Sequence, residues 1–576
     1  MYIDPTRIRE AFPLETPREG QLEAVEFAVE AINNGKKVIV LECPTGGGKS
    51  AIAMTLAELV RTSYYLTSTK QLQDQLVRDY DGEIVELKGR GSYPCTFYNR
   101  NGHRFVRDKI WTSTQLDQFL DDKRSCNNGY CKSNHNKNHN QSVNRCPQCF
   151  LKNNTLSKMP GTLDVLPPGI EYSTCPYFEQ VYKAINNRKV VMNFSSFLYQ
   201  TQNTKRFNSR DLLIIDEGHN TEPQLLDYIS LTITDQHLEG SGIFLPEFEE
   251  ASDYATWFKD MNIDNILSEL LAQAEAKDET KKVEDLKQML FRYVAFRKST
   301  TDANDPTEWV CEYNEVTDTK KRYTYRSVTL KPVYVHHFVS PLLFKYGNAV
   351  VLLSATFLDV NVLCRSLGID KEHVAARRMK NRFPAKNRPI YLKTVAKMVG
   401  GKANMHNWAP AMTKAVNEIS LKYPDKKGII HTQNFAILDH LLEHCDKRVS
   451  RRFLTQRQYP NKQELMKMHV ECDNTIIVAP AMHEGVDLHG DLSRFQIICK
   501  VPYPDRFSNK QLDRRADIDP KYYNWLTALR LVQSAGRSIR SETDYADTYI
   551  IDEAIYRFLD MAGNILPDWF KEAIIK

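Results

Sequence analysis

The chain predicts an α/β fold made of two parallel-sheet units, and three observations carry that prediction. Short apolar runs alternate with helical stretches, the pattern of strands covered by helices on both faces. The run Val38-Ile39-Val40-Leu41 passes through a glycine-rich loop into a helix. The same alternation begins again near residue 385, so one chain of 576 residues carries two such units.

In order, residues 21–33 read as a helix, with Leu22, Val25, Ala28, Val29 and Ile32 on one side and Asn33-Asn34-Gly35 ending it. The strand at 38–41 and a helix over 50–61 follow. Residues 64–67, 190–192, 212–215 and 350–353 are short, apolar and bounded by polar sequence, and complete the strands of the first unit. The second unit has strands at 428–431, 475–479, 497–501 and 548–551. Two stretches break the rhythm. Within 92–177, residues 127–144 have almost no apolar content, so this part needs a bound metal to organise it. Within 226–334 the middle, 264–297, is helical and charged, and 309–313 and 322–330 are strands.

The composition, 42% hydrophobic and 26% charged, is globular and argues against a disordered chain. A net charge of +5 is small for this length, so any surface for a polyanion has to be local. The sequence has no apolar run of about 18 residues and no apolar signal core at its amino terminus. It therefore reads as an intracellular, cytoplasmic protein of a bacterial or phage setting, with no membrane partner. There, clustered cysteines hold metal more often than they pair. Six of the twelve, Cys95, Cys126, Cys131, Cys146, Cys149 and Cys175, fall in the first insertion. Cys311, Cys364, Cys445, Cys472 and Cys499 are scattered and read as buried structural thiols.

Three motifs carry chemistry. Cys43-Pro44-Thr45-Gly46-Gly47-Gly48-Lys49-Ser50 is a phosphate loop. Its glycines let backbone N–H groups approach phosphate oxygens, Thr45 belongs to the same cradle, Lys49 reaches the β- and γ-phosphates, and Ser50 helps to hold Mg²⁺. Cys43 stands where the first glycine is usual. Asp216-Glu217-Gly218-His219 follows the run 212–215, at the carboxyl end of a strand, where open α/β sheets bind ligands. Asp216 is the Mg²⁺ carboxylate, Glu217 orients and deprotonates the attacking water, and His219 senses the phosphate state. In Gln533-Ser534-Ala535-Gly536-Arg537-Ser538-Ile539-Arg540, the two arginines are three apart and are expected on one helix face, reaching the γ-phosphate in the transition state.

In this order the motifs resemble superfamily 2 helicases of the XPD/DinG iron–sulfur group, and the resemblance runs through nearly the whole chain. Arg18-Glu19-Gly20-Gln21 is similar to the adenine-contacting element, which makes Gln21 a nucleotide ligand. Leu66-Thr67-Ser68-Thr69-Lys70-Gln71-Leu72 resembles the first DNA-contacting motif, with Thr67 and Thr69 as contacts. Leu87-Lys88-Gly89-Arg90-Gly91-Ser92-Tyr93-Pro94-Cys95 resembles the entry to the family's cluster domain, and Cys175-Pro176-Tyr177 its exit, which puts Tyr93 and Tyr177 beside the entering strand. Asn193-Phe194-Ser195-Ser196-Phe197-Leu198 resembles the element that follows. Ser354-Ala355-Thr356 resembles the motif coupling ATP to DNA. His483-Glu484-Gly485-Val486-Asp487-Leu488 resembles a Trp-Glu-Gly-hydrophobic-Asp motif, with His in the aromatic position, and assigns Gly485 and Asp487 to the nucleotide site. Lys500-Val501-Pro502-Tyr503-Pro504 resembles the family's Lys-Leu-Pro-Phe-Pro strand end.

The resemblance implies two RecA-like motor domains with an inserted [4Fe–4S] cluster domain and an inserted arch-like domain. The first motor domain would comprise 1–91, 178–225 and 335–384, the cluster domain 92–177, the arch 226–334 and the second motor domain 385–576. It implies a monomeric ATP-dependent DNA helicase that uses ATP and Mg²⁺, moves 5′→3′ on single-stranded DNA and opens forked DNA. Its cluster would sit on Cys95, Cys146, Cys149 and Cys175, of which the first and last are matched by their flanks. A cluster using Cys126 or Cys131, or a zinc site on Cys126, Cys131, Cys146 and Cys149, are the alternatives. His135 and His139 read as solvated loop residues. Lys88, Arg90, Arg100 and Arg104 lie among Tyr93, Phe97, Tyr98 and Phe105, a mixture suited to phosphates and stacked bases. An RNA-directed remodelling ATPase with a zinc module is a second class. A motor-dead nucleic-acid scaffold is a third, against which intact Lys49, Glu217 and Arg537 speak. Repair, replication, R-loop removal and transcription are all open as the pathway.

Overall fold

The computed structural model describes residues 1–94, 176–277, 280–301, 307–318, 323–399, 404–480, 482 and 488–575. The strands, in chain order, are β1 (Val38–Glu42), β2 (Ser63–Thr67), β3 (Val85–Leu87), β4 (Lys189–Asn193), β5 (Arg210–Asp216), β6 (Leu231–Thr234), β7 (Trp309–Asp318), β8 (Tyr323–Pro332) and β9 (Gly347–Ser354). They continue with β10 (Val374–Arg378), β11 (Ile390–Ala396), β12 (Gly428–His431), β13 (Phe453–Thr455), β14 (Ile476–Ala479), β15 (Phe495–Ile498), β16 (Asp547–Asp552) and β17 (Ile574–Ile575). Three sheets result. One has the order β10-β1-β9-β5-β2-β4-β3, the second β13-β14-β12-β15-β16-β11-β17, and the third β6-β8-β7. All neighbours in the second sheet run parallel, as do β1–β10, β2–β4, β2–β5 and β3–β4 in the first. The third sheet is antiparallel. β1, β2 and β5 are buried at every residue, which is why their sequences read as continuous apolar runs rather than alternating ones.

The chain divides into two compact units, Met1–Ile3 with Leu56–Val351 and Ser366–Ile369, and Asp4–Thr55 with Leu352–Arg365 and Asp370–Lys576. In the first unit, Tyr64 packs edge-on against Phe197 at 5.2 Å, and Phe197 against Tyr346 at 5.5 Å. Buried Arg210 lies 4.4 Å over the Tyr64 ring and donates to the carbonyls of Ser63 and Ala184. The charged insertion is helical at Ile263–Ala276 and Thr280–Thr300. Its apolar face is an aromatic ladder in which Phe258 meets Phe296 at 5.8 Å and Phe296 meets Trp309 at 4.9 Å. In the second unit the core gathers Met412, Val416, Ile430, Val478, Phe495 and Ile497 between helices and the second sheet. No helix of the described residues is long and apolar enough to cross a membrane.

Three expectations are corrected. The strand expected at 497–501 is Phe495–Ile498, because by Val501 the backbone N–H has left the ladder for the Asp552 carboxylate, 3.0 Å away. β10 was not expected: Val374-Ala375-Ala376-Arg377-Arg378 is charged, and it is tolerated because it pairs only with β1 at the sheet edge. Among the scattered thiols, Cys311, Cys364, Cys445 and Cys499 are buried, but Cys472, at the carboxyl end of the helix Lys462–Glu471, is half-buried. Burial pushes the Cys364 thiol up to about 11 and that of Cys445 up to about 12, so neither is ionised at neutral pH.

One buried histidine makes the second unit acid-sensitive. His469 is fully buried, with Nε2 2.7 Å from the Leu492 carbonyl and Nδ1 2.8 Å from the Thr475 hydroxyl. Burial holds its pKa down at about 4. A histidine whose folded pKa is depressed is neutral in the fold and protonates first in the unfolded chain. Its stability contribution is therefore complete above about pH 6.5 and is lost as pH falls toward 4. A loss of roughly 3 kcal/mol is expected across that window. Urea midpoints measured from pH 7.5 to 4.5 should fall less steeply in His469→Gln than in the parent. Parallel slopes would refute the assignment.

Candidate nucleotide and nucleic-acid sites

In the second unit the buried strand β1 ends at Glu42, and Cys43 continues the ladder by donating its N–H to the Ser354 carbonyl at 2.8 Å. Cys43 is fully buried, so the residue that replaces the usual glycine is a strand residue rather than part of the cradle. The loop then turns sharply. Gly46 and Gly48 have φ of 76° and 79°, in the left-handed region, and Gly47 N–H closes on the Pro44 carbonyl at 2.8 Å. Lys49 and Ser50 begin the helix Lys49–Glu58.

Gln21 is 1% exposed and is turned onto this loop. Its Nε2 donates to the carbonyls of Gly47 (3.1 Å) and Gly48 (3.4 Å), and its Oε1 accepts from Arg18 N–H at 2.7 Å. Arg18 donates through Nη1 to the Gly46 carbonyl. The residue expected to read the nucleotide base thus holds the phosphate loop in this conformation.

The glutamine–arginine segment lies beside the same loop. A Cβ added to Gly46 would stand 2.8 Å from the Arg540 carbonyl oxygen and 3.0 Å from the Phe383 ring. The helix Pro520–Ala535 carries Gln533 but stops before both arginines. Arg537 and Arg540 therefore do not share a helix face as the spacing suggested. Gly536 caps the helix, donating to the Val532 carbonyl at 2.9 Å. Ser538 is drawn inward, its hydroxyl 2.7 Å from that of Ser493. Gln496 on β15, buried, donates to the Ala535 carbonyl and the Thr548 hydroxyl, both at 2.7 Å. Asp544 accepts from the N–H groups of Arg540 (3.3 Å) and Gly490 (3.1 Å) and pairs with Arg494 at 2.7 Å. Gln496 and Asp544 carried no sequence signal. Gly485 and Asp487 lie outside the described residues.

In the first unit β5 ends at Asp216, which is 6% exposed. Its Oδ1 accepts from Glu217 N–H at 2.9 Å, and Tyr65 Oη approaches Oδ2 at 3.4 Å. Glu217 takes φ 51°, left-handed for a residue with a side chain, a conformation that costs about 1–3 kcal/mol. The turn brings its carboxylate 3.5 Å from Nδ1 of buried His219, so the base and the expected sensor are in contact.

A cleft of about 520 Å³ in the same unit is lined by Ser68, Lys70, Arg90, Tyr177, Asn193 and Tyr199 among others. Thr67 and Thr69 flank the lining residue Ser68 and do not themselves line the cleft. The Thr67 hydroxyl donates to the Thr69 carbonyl at 3.1 Å, and Thr69 caps the helix Lys70–Asp79. Tyr93 and Tyr177 have ring centroids 5.7 Å apart. Gln200 donates to Tyr177 Oη at 2.8 Å, and the Arg90 guanidinium lies 5.5 Å from the Tyr177 ring. Burial pushes the Tyr93 hydroxyl up to about 12, so it stays neutral. Tyr199, immediately after the matched Asn193–Leu198 element, was missed. Among the described residues no three His, Cys, Asp or Glu side chains gather as a metal site. All six cysteines of the first insertion lie outside the described residues.

Comparison with known proteins agrees with this architecture. Residues 417–573 match the family described as helicase C-terminal domain, and 15–236 match the type III restriction enzyme res subunit family. A protein named probable ATP-dependent helicase from Methanocaldococcus jannaschii is 22% identical, over 97% of this chain and 95% of its own. An ATP-dependent DNA helicase of Candida albicans is 31% identical over a segment covering 17% of this chain and 13% of its own. A solved XPD helicase structure superimposes with a TM-score of 0.58 at 12% identity, covering 98% of this chain and all of that one. S. tokodaii Xpd4 does so with a TM-score of 0.52 at 12% identity, covering 97% and 100%.

Two RecA-like parallel sheets, a phosphate loop and the two domain matches support an ATP-dependent helicase. Its fold is XPD-like.

The loop geometry yields a paired test. Gly46→Ala is expected to abolish binding of a fluorescent ATP analogue, because its methyl would strike a backbone carbonyl. Gly82→Ala shares the left-handed backbone (φ 79°) but has open space around it, so it should cost only about 1 kcal/mol of stability and leave nucleotide binding intact. Equal nucleotide affinity in the two variants would count against the loop as the phosphate cradle.

Proposed function

We propose that this protein is an ATP-dependent DNA helicase that translocates 5′→3′ on single-stranded DNA and opens forked duplexes, working as a monomer. The observation that carries the reading is the phosphate loop held by Gln21 and lying against the Arg540 backbone, which supports a nucleotide cradle bordered by the glutamine–arginine segment. Lys49 and Ser50 bind the β- and γ-phosphates, Asp216 takes the metal-facing position, and Glu217 orients and deprotonates the attacking water with His219 beside it. Arg537 and Arg540 stabilise charge on the transferred phosphoryl group, with Gln533, one turn earlier on the helix, completing the site. Ser50 and Asp216 would hold Mg²⁺, which would supply positive charge against the phosphates. Gly485 and Asp487 belong to the same nucleotide site in this reading.

The cleft lined by Lys70, Arg90 and Tyr199 supports a single-stranded substrate, since cations track phosphates while aromatic rings stack bases. Thr67, Thr69, Tyr93 and Tyr177 border the strand's path. Cys95, Cys146, Cys149 and Cys175 hold a [4Fe–4S] cluster in this reading. Four thiolates suit such a cluster, and the Tyr93–Tyr177 contact, two residues from Cys95 and from Cys175, is consistent with an insertion that starts and ends at one place. A bound cluster supplies a cross-link among four thiolates.

Lys49→Ala and Glu217→Gln should each lower DNA-stimulated ATPase about a hundredfold or more. Retention of most turnover in either would overturn the motor assignment. On forked duplexes carrying one single-stranded arm, unwinding is expected from the 5′ arm only. Opening from the 3′ arm, or stronger stimulation by RNA than by DNA, would contradict the proposed substrate. Cys149→Ser should lose iron and sulfide together with absorbance near 400 nm, and unchanged iron content would remove Cys149 from the ligand set.

A further inference from the structure

β1 is apolar and buried except that its last residue is a glutamate. Glu42 is 4% exposed, and a carboxylate there persists only if it is fully paired. Its Oε2 accepts from the backbone N–H groups of Phe357 and Leu358, both at 3.0 Å. Arg378 grips the same carboxylate, with Nε 2.8 Å from Oε1 and Nη2 3.2 Å from Oε2, and Nη2 also donates to the Leu358 carbonyl at 2.7 Å. Leu358 is held at φ 60°, left-handed without being glycine. These residues follow Ser354-Ala355-Thr356 directly. The Ser354 hydroxyl turns back onto Thr356, and the buried Thr356 hydroxyl has no hydrogen-bond partner among the described residues.

The same loop is held from another element. Trp525 is 2% exposed and donates its indole N–H to the Phe357 carbonyl at 2.7 Å. It lies on the helix Pro520–Ala535, two turns before Gln533. One residue, Phe357, therefore has its N–H committed to the strand that feeds the phosphate loop and its C=O committed to the helix that feeds the arginine pair. A shift of either element has to move this peptide or break a buried hydrogen bond. A peptide tied to two elements in this way links their positions, as coupling between binding events requires.

We propose that Glu42, Arg378 and Trp525 are positioning residues that set the Ser354–Thr356 loop between the phosphate loop and the arginine segment, and so determine how strongly nucleic acid stimulates ATP turnover. The inference rests on the helicase reading above. The test measures ATPase of the full chain with and without a single-stranded oligo(dT) 40-mer. Trp525→Phe keeps a ring and removes the N–H donor. Its stimulation by oligo(dT) should fall about fivefold, the worth of one buried hydrogen bond. Turnover without DNA and the KM for ATP should stay within about twofold of the parent, since the loss is of coupling and not of chemistry. Glu42→Gln, which keeps shape and removes charge, should reduce stimulation in the same way. The double variant should fall no further than the deeper single one, because both act on Phe357. Parent-like stimulation in Trp525→Phe and Glu42→Gln would overturn the proposal. So would a parallel fall of basal and stimulated rates in both variants, which marks a merely structural role. Absence of stimulation in the parent chain would refute the helicase reading instead.

Discussion

A phosphate loop has to leave its N–H groups unspent, because those are the donors an anion will use. Its own peptides therefore cannot satisfy one another in the ordinary way, and its carbonyls have to be held from outside. Here Gln21 donates to two of them and Arg18 to a third, and the loop closes on itself through the Gly47 N–H and the Pro44 carbonyl. The helix Gln21–Asn33 is fixed in turn by Ala24, Val25, Ala28 and Val29 packed in the core. The cradle is thus an extension of the hydrophobic core, delivered through one buried amide side chain. The approach of Arg540 follows from the same geometry, since only a residue without a side chain at 46 lets that backbone come so close.

Part of the backbone strain lies where chemistry is expected. Of the six non-glycine residues with left-handed backbone among the described residues, three, Glu217, Leu358 and Gln433, lie within a few residues of the carboxyl end of β5, β9 or β12. A parallel strand has to be broken at that end for side chains to reach a ligand, and the tightest break uses a left-handed residue. At Glu217 the cost is met locally by Asp216, which accepts its N–H, and by the contact with His219. At Leu358 it is met by Glu42 and Arg378. Each compensating group is a polar side chain close to the turn.

This explains what could be read from the residues and what could not. β1, β2, β4, β5 and β9 were legible because burial on both faces leaves no room for polar residues. The phosphate loop and acidic box were legible because their chemistry constrains consecutive residues. The end of the helix Pro520–Ala535 was not legible. A three-residue spacing of arginines looks helical, and nothing in Gly536-Arg537-Ser538 reveals that Ser538 will be pulled onto Ser493 by a distant strand. Gln21 was matched to nucleotide contact by its motif, but its hydrogen bonds show a supporting task that only the folded loop defines. Gln496, Asp544 and Trp525 act mainly through contacts across long sequence separations, so no local pattern marks them.

Buried carboxylates at strand ends serve two different purposes here, and their surroundings separate them. Asp552, at the end of β16, accepts from the N–H groups of Met398, Val501 and Ala554 at 3.0–3.1 Å. Among the described residues no guanidinium is paired with it, and burial pushes its pKa up. Three backbone donors on one sealed carboxylate make a fixed corner, because releasing any of them strands a buried charge. Glu42 also takes backbone donors, but its charge is matched by Arg378, whose side chain is 46% exposed. That arginine can exchange its contacts for water at modest cost, which releases the Leu358 carbonyl while Glu42 keeps the N–H groups of Phe357 and Leu358. The first arrangement draws its three hydrogen bonds from the backbone, and the second includes one partner that solvent can replace.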